Sequence, residues 1–113
     1  MEFTEITKTD EIPPATAKAF KVNGEEILVA NYNGSYYAIS NKCTHMGGDL
    51  SKGKLDGSIV TCPRHGSQFD ITTGKNLQGP KIGPFRGRAK DLKTYELKVE
   101  GNSLRASLKT GSD

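Results

Sequence analysis

Side chains able to hold a metal softly are scarce in this chain of 113 residues: two cysteines and two histidines, and no more. Long hydrophobic runs are absent as well. Apolar residues make up 34% of the chain, and no stretch approaches the ~20 residues of a membrane helix, so no membrane association is expected. The first ten residues, MEFTEITKTD, lack a basic region followed by an apolar stretch. Secretion is therefore not expected and the cytoplasm is the expected compartment. In such a reducing setting two cysteines suit a metal better than a disulfide. No convincing amphipathic helix, internal repeat or low-complexity segment is visible, and the length suits a single domain over 1–113. A chain of this size buries roughly 60–70% of its unfolded surface, so its core is modest and an inorganic staple would help it.

What the chain does have is strand pattern. TAKAFKV, then Asn23-Gly24, then EEILVANY is a strong hairpin signature, because Asn-Gly supplies the two positive-φ residues of a type I′ turn. A second follows at once, with Asn33-Gly34 between ILVANY and SYYAIS. A third joins TYELKVE to SLRASL through Gly101-Asn102; Leu97 and Val99 share one strand face, and Leu104, Ala106 and Leu108 another. SIVTC and QFDI read as short strands, with a turn at Thr73-Gly74 after the second. Residues 9–15, TDEIPPA, form a connection that Pro13-Pro14 keeps out of any ladder. From Asn41 to about Leu92 the texture changes to glycine, proline and lysine, a loop composition. Loops this long in a small domain carry function or are disordered. The expected architecture is all-β: an antiparallel scaffold built from both ends of the chain, carrying a loop-rich insertion.

Charge is uneven. Residues 40–92 hold Lys42, Lys52, Lys54, Arg64, Lys75, Lys81, Arg86, Arg88 and Lys90 against Asp49, Asp56, Asp70 and Asp91, a net +5, and the remainder sums to −2. Aromatic interleaving stops at Phe69 and Phe85 and no reader motif is present, so nucleic acid is not an expected partner. A mildly basic solvated face, or a docking face for an acidic partner, accounts for the bias.

All four candidate ligands fall into two boxes, CTHMGGDL at 43–50 and CPRHGSQFD at 62–70. Cys43 and His45 are one residue apart, and Cys62 and His65 are separated by two. Two buried thiols with two surface histidines would not explain the clustering, and a disulfide would leave the imidazoles without a role. Two Cys and two His can bind zinc tetrahedrally. Zinc knuckles, however, usually pair like with like, whereas each box here offers one thiolate and one imidazole. That mixture suits a binuclear cluster in which one iron takes both thiolates and the other both imidazoles, although spacing alone leaves zinc open.

The two boxes, the sixteen residues between His45 and Cys62, and the flanking runs GKLDGSIVTCPRHGSQFDITTGK and LKTYELKVEGNSLRASL resemble the soluble Rieske ferredoxins over about residues 25–108. The resemblance implies an antiparallel β-sandwich of the Rieske fold. Its cluster-binding subdomain would span about 41–84, on a β base made of 1–40 and 92–109. It also implies one [2Fe–2S] cluster, with Cys43 and Cys62 on the inner iron and His45 and His65 on the outer one. Gly47, Gly48 and Gly66 would let backbone N–H groups approach the sulfurs, Pro63 would fix the approach of the second box, and Pro80 or Pro84 would shield the cluster. With two thiolates the oxidised cluster is formally neutral, so an electron is added more easily than to the anionic four-cysteine type. High-potential relatives carry a loop-to-loop disulfide where this chain has Gly48 and Arg64. They also carry a serine and a tyrosine that donate to sulfur. Ser67 matches that serine, while Phe69 lacks the tyrosine's hydroxyl. A potential in the lower part of the family range follows, one that falls at alkaline pH as the imidazoles lose protons.

The function implied is that of a one-electron carrier, not an enzyme, passing electrons from a reductase to a terminal oxidase or oxygenase that docks at the His45 and His65 face. Lysines and arginines would steer an acidic partner toward that face. An oxygenase would need a second iron on two further histidines and a carboxylate, and this chain has no third histidine. The ferredoxin component of an aromatic-ring dioxygenase system comes first. A small subunit of a nitrite-reductase-like complex is the alternative, and a structural zinc module a remote one.

Overall fold

The computed structural model describes residues 3–42, 49–64, 66–79, 81–82, 84–87 and 90–107. Twelve strands are assigned among them, and the helical elements there are two short 3-10 turns, Thr9–Glu11 and Leu50–Lys52. The first four strands are β1 (Thr4–Lys8), β2 (Ala17–Val22), β3 (Glu25–Tyr32) and β4 (Ser35–Ser40). The last two are β11 (Thr94–Glu100) and β12 (Ser103–Ser107). These six make one sheet in the order β1-β12-β11-β4-β3-β2. Both ends of the chain thus contribute to one scaffold.

The hairpin tips follow the expected chemistry. Asn23 and Gly24 have φ of 50° and 81°, and Asn33 and Gly34 have 54° and 84°, so both turns take the mirror-image form that Asn-Gly favours. At the third tip Gly101 alone has positive φ, at 61°, which fits a type II′ turn between Glu100 and Ser103. Leu104 and Ala106 are buried as expected, and Leu108 lies outside the described residues. Val99 lies two residues along β11 from Leu97, as read, and is 49% exposed, because β11 beyond Tyr95 has left β4 and pairs with β12 alone.

The long middle segment is less irregular than its composition suggests. It contains a four-stranded antiparallel sheet of β5 (Lys54–Asp56), β6 (Ile59–Thr61), β7 (Gln68–Asp70) and β8 (Asn76–Gln78). A two-stranded ribbon, β9 (Lys81–Ile82) with β10 (Phe85–Arg86), follows. Strands of two or three residues are too short to show an alternating pattern. An N-terminal strand, β1, is a further addition; it pairs with β12 from Thr4↔Ala106 to Lys8↔Ser103.

Two apolar clusters form the core, and β3 serves both. Its Ile27 and Val29 join Ile12, Ala38, Tyr95, Leu104 and Ala106 on one face. Leu28 and Ala30, pointing the other way, join Ile39, Leu50, Val60, Cys62, Phe69, Ile71 and Leu92. The second cluster fills the space between the large and the small sheet, which fits the sandwich read from the sequence. Backbone bonds tie the layers at one end: Leu92 N–H donates to the Gly74 carbonyl at 2.7 Å and Ser40 N–H to the Lys93 carbonyl at 2.9 Å. Leu28 is fully buried at the junction. Leu28→Ala should therefore cost about 2–5 kcal/mol of stability, measurable as a lower midpoint in thermal or denaturant unfolding.

Candidate metal centre

The second box is the loop of a tight hairpin. β6 and β7 pair up to Thr61↔Gln68, and the Cys62 N–H then donates to the Ser67 carbonyl at 2.8 Å. Inside that closure, Gly66 N–H donates to the Cys62 carbonyl at 3.2 Å, and Gly66 takes φ +76°, a value that a β-carbon would strain. Pro63 and Arg64 stand exposed on the outer side of the loop. Cys62 is 2% exposed, a free thiol set into the core between the sheets. Phe69 is buried completely in that same cluster, so it packs the wall behind the loop. His65 lies outside the described residues.

The first box is bounded in a similar way. Lys42 and Asp49 form an antiparallel bridge that brings the two ends of the box together. Cys43, His45, Gly47 and Gly48 all fall between those ends and outside the described residues. The loop base is built by residues that composition and spacing did not single out. Asn41, 1% exposed, donates its N–H to the Glu26 carbonyl on β3 at 3.0 Å, and its own carbonyl accepts from Leu50 N–H at 2.8 Å. Its side-chain Nδ2 donates to Asp49 Oδ1 at 2.7 Å, and its Oδ1 accepts from Ser51 N–H at 2.9 Å. Asp49 Oδ1 also accepts from the Ser51 N–H at 3.0 Å and the Ser51 hydroxyl at 2.6 Å, capping the 3-10 turn that follows. An Asp with a Ser two residues on is a turn signature that could have marked this base in the sequence.

The bases of the two loops meet at one end of the small sheet. Leu50, just after the first, and Cys62, at the head of the second, sit in the same apolar cluster. Gly53 lies directly against the Thr61 carbonyl, and a β-carbon there would also come within 3.2 Å of Pro63 Cδ. The glycine thus admits the second hairpin beside the first loop. Around this end Lys42, Lys52 and Arg64 are exposed. Pro84 is exposed; Pro80 is outside the described residues.

One polar atom in this region has no partner. Ser67 Oγ is buried and makes no hydrogen bond with the described residues. A buried hydroxyl left without an acceptor costs about 1–3 kcal/mol, and none of the described residues supplies one to Ser67. A sulfide or thiolate sulfur meets that need. The buried Cys62, the glycine-shaped loop and the partnerless Ser67 hydroxyl therefore fit an iron–sulfur cluster held between the loops.

Comparison with known proteins agrees. The family model for the Rieske [2Fe-2S] domain matches residues 2–96. The chain is 40% identical over 100 residues to the ferredoxin component of the naphthalene 1,2-dioxygenase/salicylate 5-hydroxylase systems of Ralstonia sp., covering 88% of each chain. It is 32% identical over 105 residues to the biphenyl dioxygenase ferredoxin subunit of Pseudomonas sp. (strain KKS102), covering 92% of this chain and 90% of that one. Among solved structures, the ferredoxin of carbazole 1,9a-dioxygenase from Nocardioides aromaticivorans IC177 superposes with a TM-score of 0.80 at 29% identity, over 96% of this chain and 100% of that one.

The loop base carries a pH signature. Hydrogen bonds from the Ser51 side chain and from Asn41 hold the Asp49 carboxyl below its ordinary value of 3.8. Such a group adds stability above its ordinary pKa and loses that contribution as the pH falls through the lowered value. Thermal unfolding between pH 5 and pH 2 should thus show a steeper acid loss for the native chain than for Asp49→Asn. Parallel curves would remove Asp49 from the acid response.

Proposed function

The chain belongs to the Rieske [2Fe-2S] family, and from that membership we propose that it is the ferredoxin component of an aromatic-ring dioxygenase system, an electron carrier and not the catalyst. The carrying observation is the second loop, where a buried cysteine and a partnerless buried serine hydroxyl sit in one glycine-shaped turn. When bound, a [2Fe–2S] cluster supplies reversible uptake of one electron. The chain's residues do the rest. Cys43 and Cys62 would hold one iron as thiolates and His45 and His65 the other through ring nitrogens. Gly47, Gly48, Pro63 and Gly66 would shape the backbone around them. Ser67 would donate its hydroxyl proton toward sulfur, drawing off negative charge. Phe69 closes the apolar wall behind the second loop and keeps water from that side.

The reductase and the oxygenase would dock in turn at the end of the small sheet that would carry His45 and His65, steered by Lys42, Lys52 and Arg64. The named relatives serve dioxygenase systems, which favours this partner class over a nitrite-reductase-like complex, and family membership favours the cluster over zinc. The proposed organisation is one domain over 1–113, with a cluster-binding subdomain at about 41–84 on a base of 1–40 and 92–109. Its support is the single apolar cluster shared by both sheets. Among the described residues no helix is long and apolar enough to cross a membrane. The cytoplasm is the proposed compartment, since reduced thiols are kept there.

Anaerobically prepared protein should contain two irons and two acid-labile sulfides per chain, the stoichiometry of a single [2Fe–2S] cluster. It should be red-brown, and His45→Ala and His65→Ala should each abolish the cluster's spectrum. A colourless zinc protein would overturn the reading. Redox titration should give a potential in the lower part of the roughly −150 to +300 mV range, lowered further in Ser67→Ala; an unchanged value would remove the serine from the account.

A further inference from the structure

Asn41 ties together strand β3 and the segment that follows the first loop. Through its backbone it bonds to Glu26 on the central strand β3 and to Leu50 beyond the first loop. Through its side chain it donates to Asp49 and accepts from Ser51. The loop that begins at residue 43 leaves from Lys42 and returns at Asp49, so both of its roots are anchored by this one buried amide. The chemistry is specific to an amide. A carboxylate in its place would offer no proton and would set a second negative charge against Asp49. A leucine side chain would leave Asp49 and Ser51 bonded only to each other and would break their link back to residue 41.

We propose that Asn41 is a positioning residue for the first loop, a latch that ties its two roots at Lys42 and Asp49 together and so governs how tightly the chain retains its iron. This rests on the cluster reading given above. The latch acts by resisting local opening at the loop roots, an event distinct from global unfolding because it leaves the ladders of β3 with β2 and β4 intact.

The test uses the full chain with its cluster. Iron release to an excess of chelator is followed by loss of visible absorption, and amide exchange is read at Leu50 and Ser51. Asn41→Asp should release iron about tenfold faster or more, the loss of a hydrogen bond to a charged group plus a new repulsion. Exchange at Leu50 and Ser51 should quicken while the interior of β3 keeps its protection. The exchanged pair N41D/D49N reverses the bond. The amide introduced at the second position donates to the carboxylate introduced at the first, and that carboxylate still accepts from Ser51 N–H. The pair should return both readouts most of the way to the native rates. Should N41D fail to fold, D49N takes its place, with an expected rise of about threefold from loss of the charge assistance. Native-like release in the single variant, or an exchanged pair as leaky as the single, overturns the latch. A native chain without iron would sink the electron-carrier reading instead, and amide exchange alone would then decide the role of Asn41.

Discussion

Everything at the end of the small sheet where the two loop roots lie depends on the apolar contact between the two sheets. A cluster site needs two loops held face to face, and loops have little means of holding themselves. Here each loop is rooted in the same buried cluster, the first through Leu50 and the second through Cys62 and Phe69. The opposing wall is Leu28 and Ala30 of β3 with Ile39 of β4. Because β3 also gives Ile27 and Val29 to the other cluster, it cannot slide by one residue without exchanging both sets of side chains. The register of one central strand is thereby transmitted to the roots of both loops.

Polar groups refine what the apolar contact sets. Asn41 and Asp49 close the root of one loop, and the Cys62 N–H with the Ser67 carbonyl closes the other. Each closure satisfies backbone groups that would otherwise be buried unpaired. The Ser67 hydroxyl is the exception, and a group left unsatisfied inside a well-bonded loop is informative because its neighbours are not.

The sequence made some of this legible and hid the rest for physical reasons. The Asn-Gly tips at 23–24 and 33–34 announce themselves because few residues tolerate positive φ. The two boxes were visible because cysteine and histidine are rare in this chain and all four fall in two short segments. The small sheet was half hidden: β6 and β7 carry the buried Val60 and Phe69, whereas Leu55 of β5 is only partly buried and Leu77 of β8 is exposed. Asn41 was silent, since its meaning lies in partners that only folding brings near. The exposure of Val99 was not legible, because alternation in the sequence cannot reveal that β11 parts from β4 midway.

The large sheet places its first strand, β1, beside its last, β12, and reaches β4 from β11 across the whole intervening segment. During synthesis the early hairpins can form as they emerge, but their sheet stays open until the C-terminal hairpin arrives. Closure over such sequence distance is slow, because loop entropy is lost before the contacts that reward it are made. The β4 strand therefore presents an open edge beside β3 until the hairpin of β11 and β12 docks on it, and an open edge is a template for wrong pairing while it lasts.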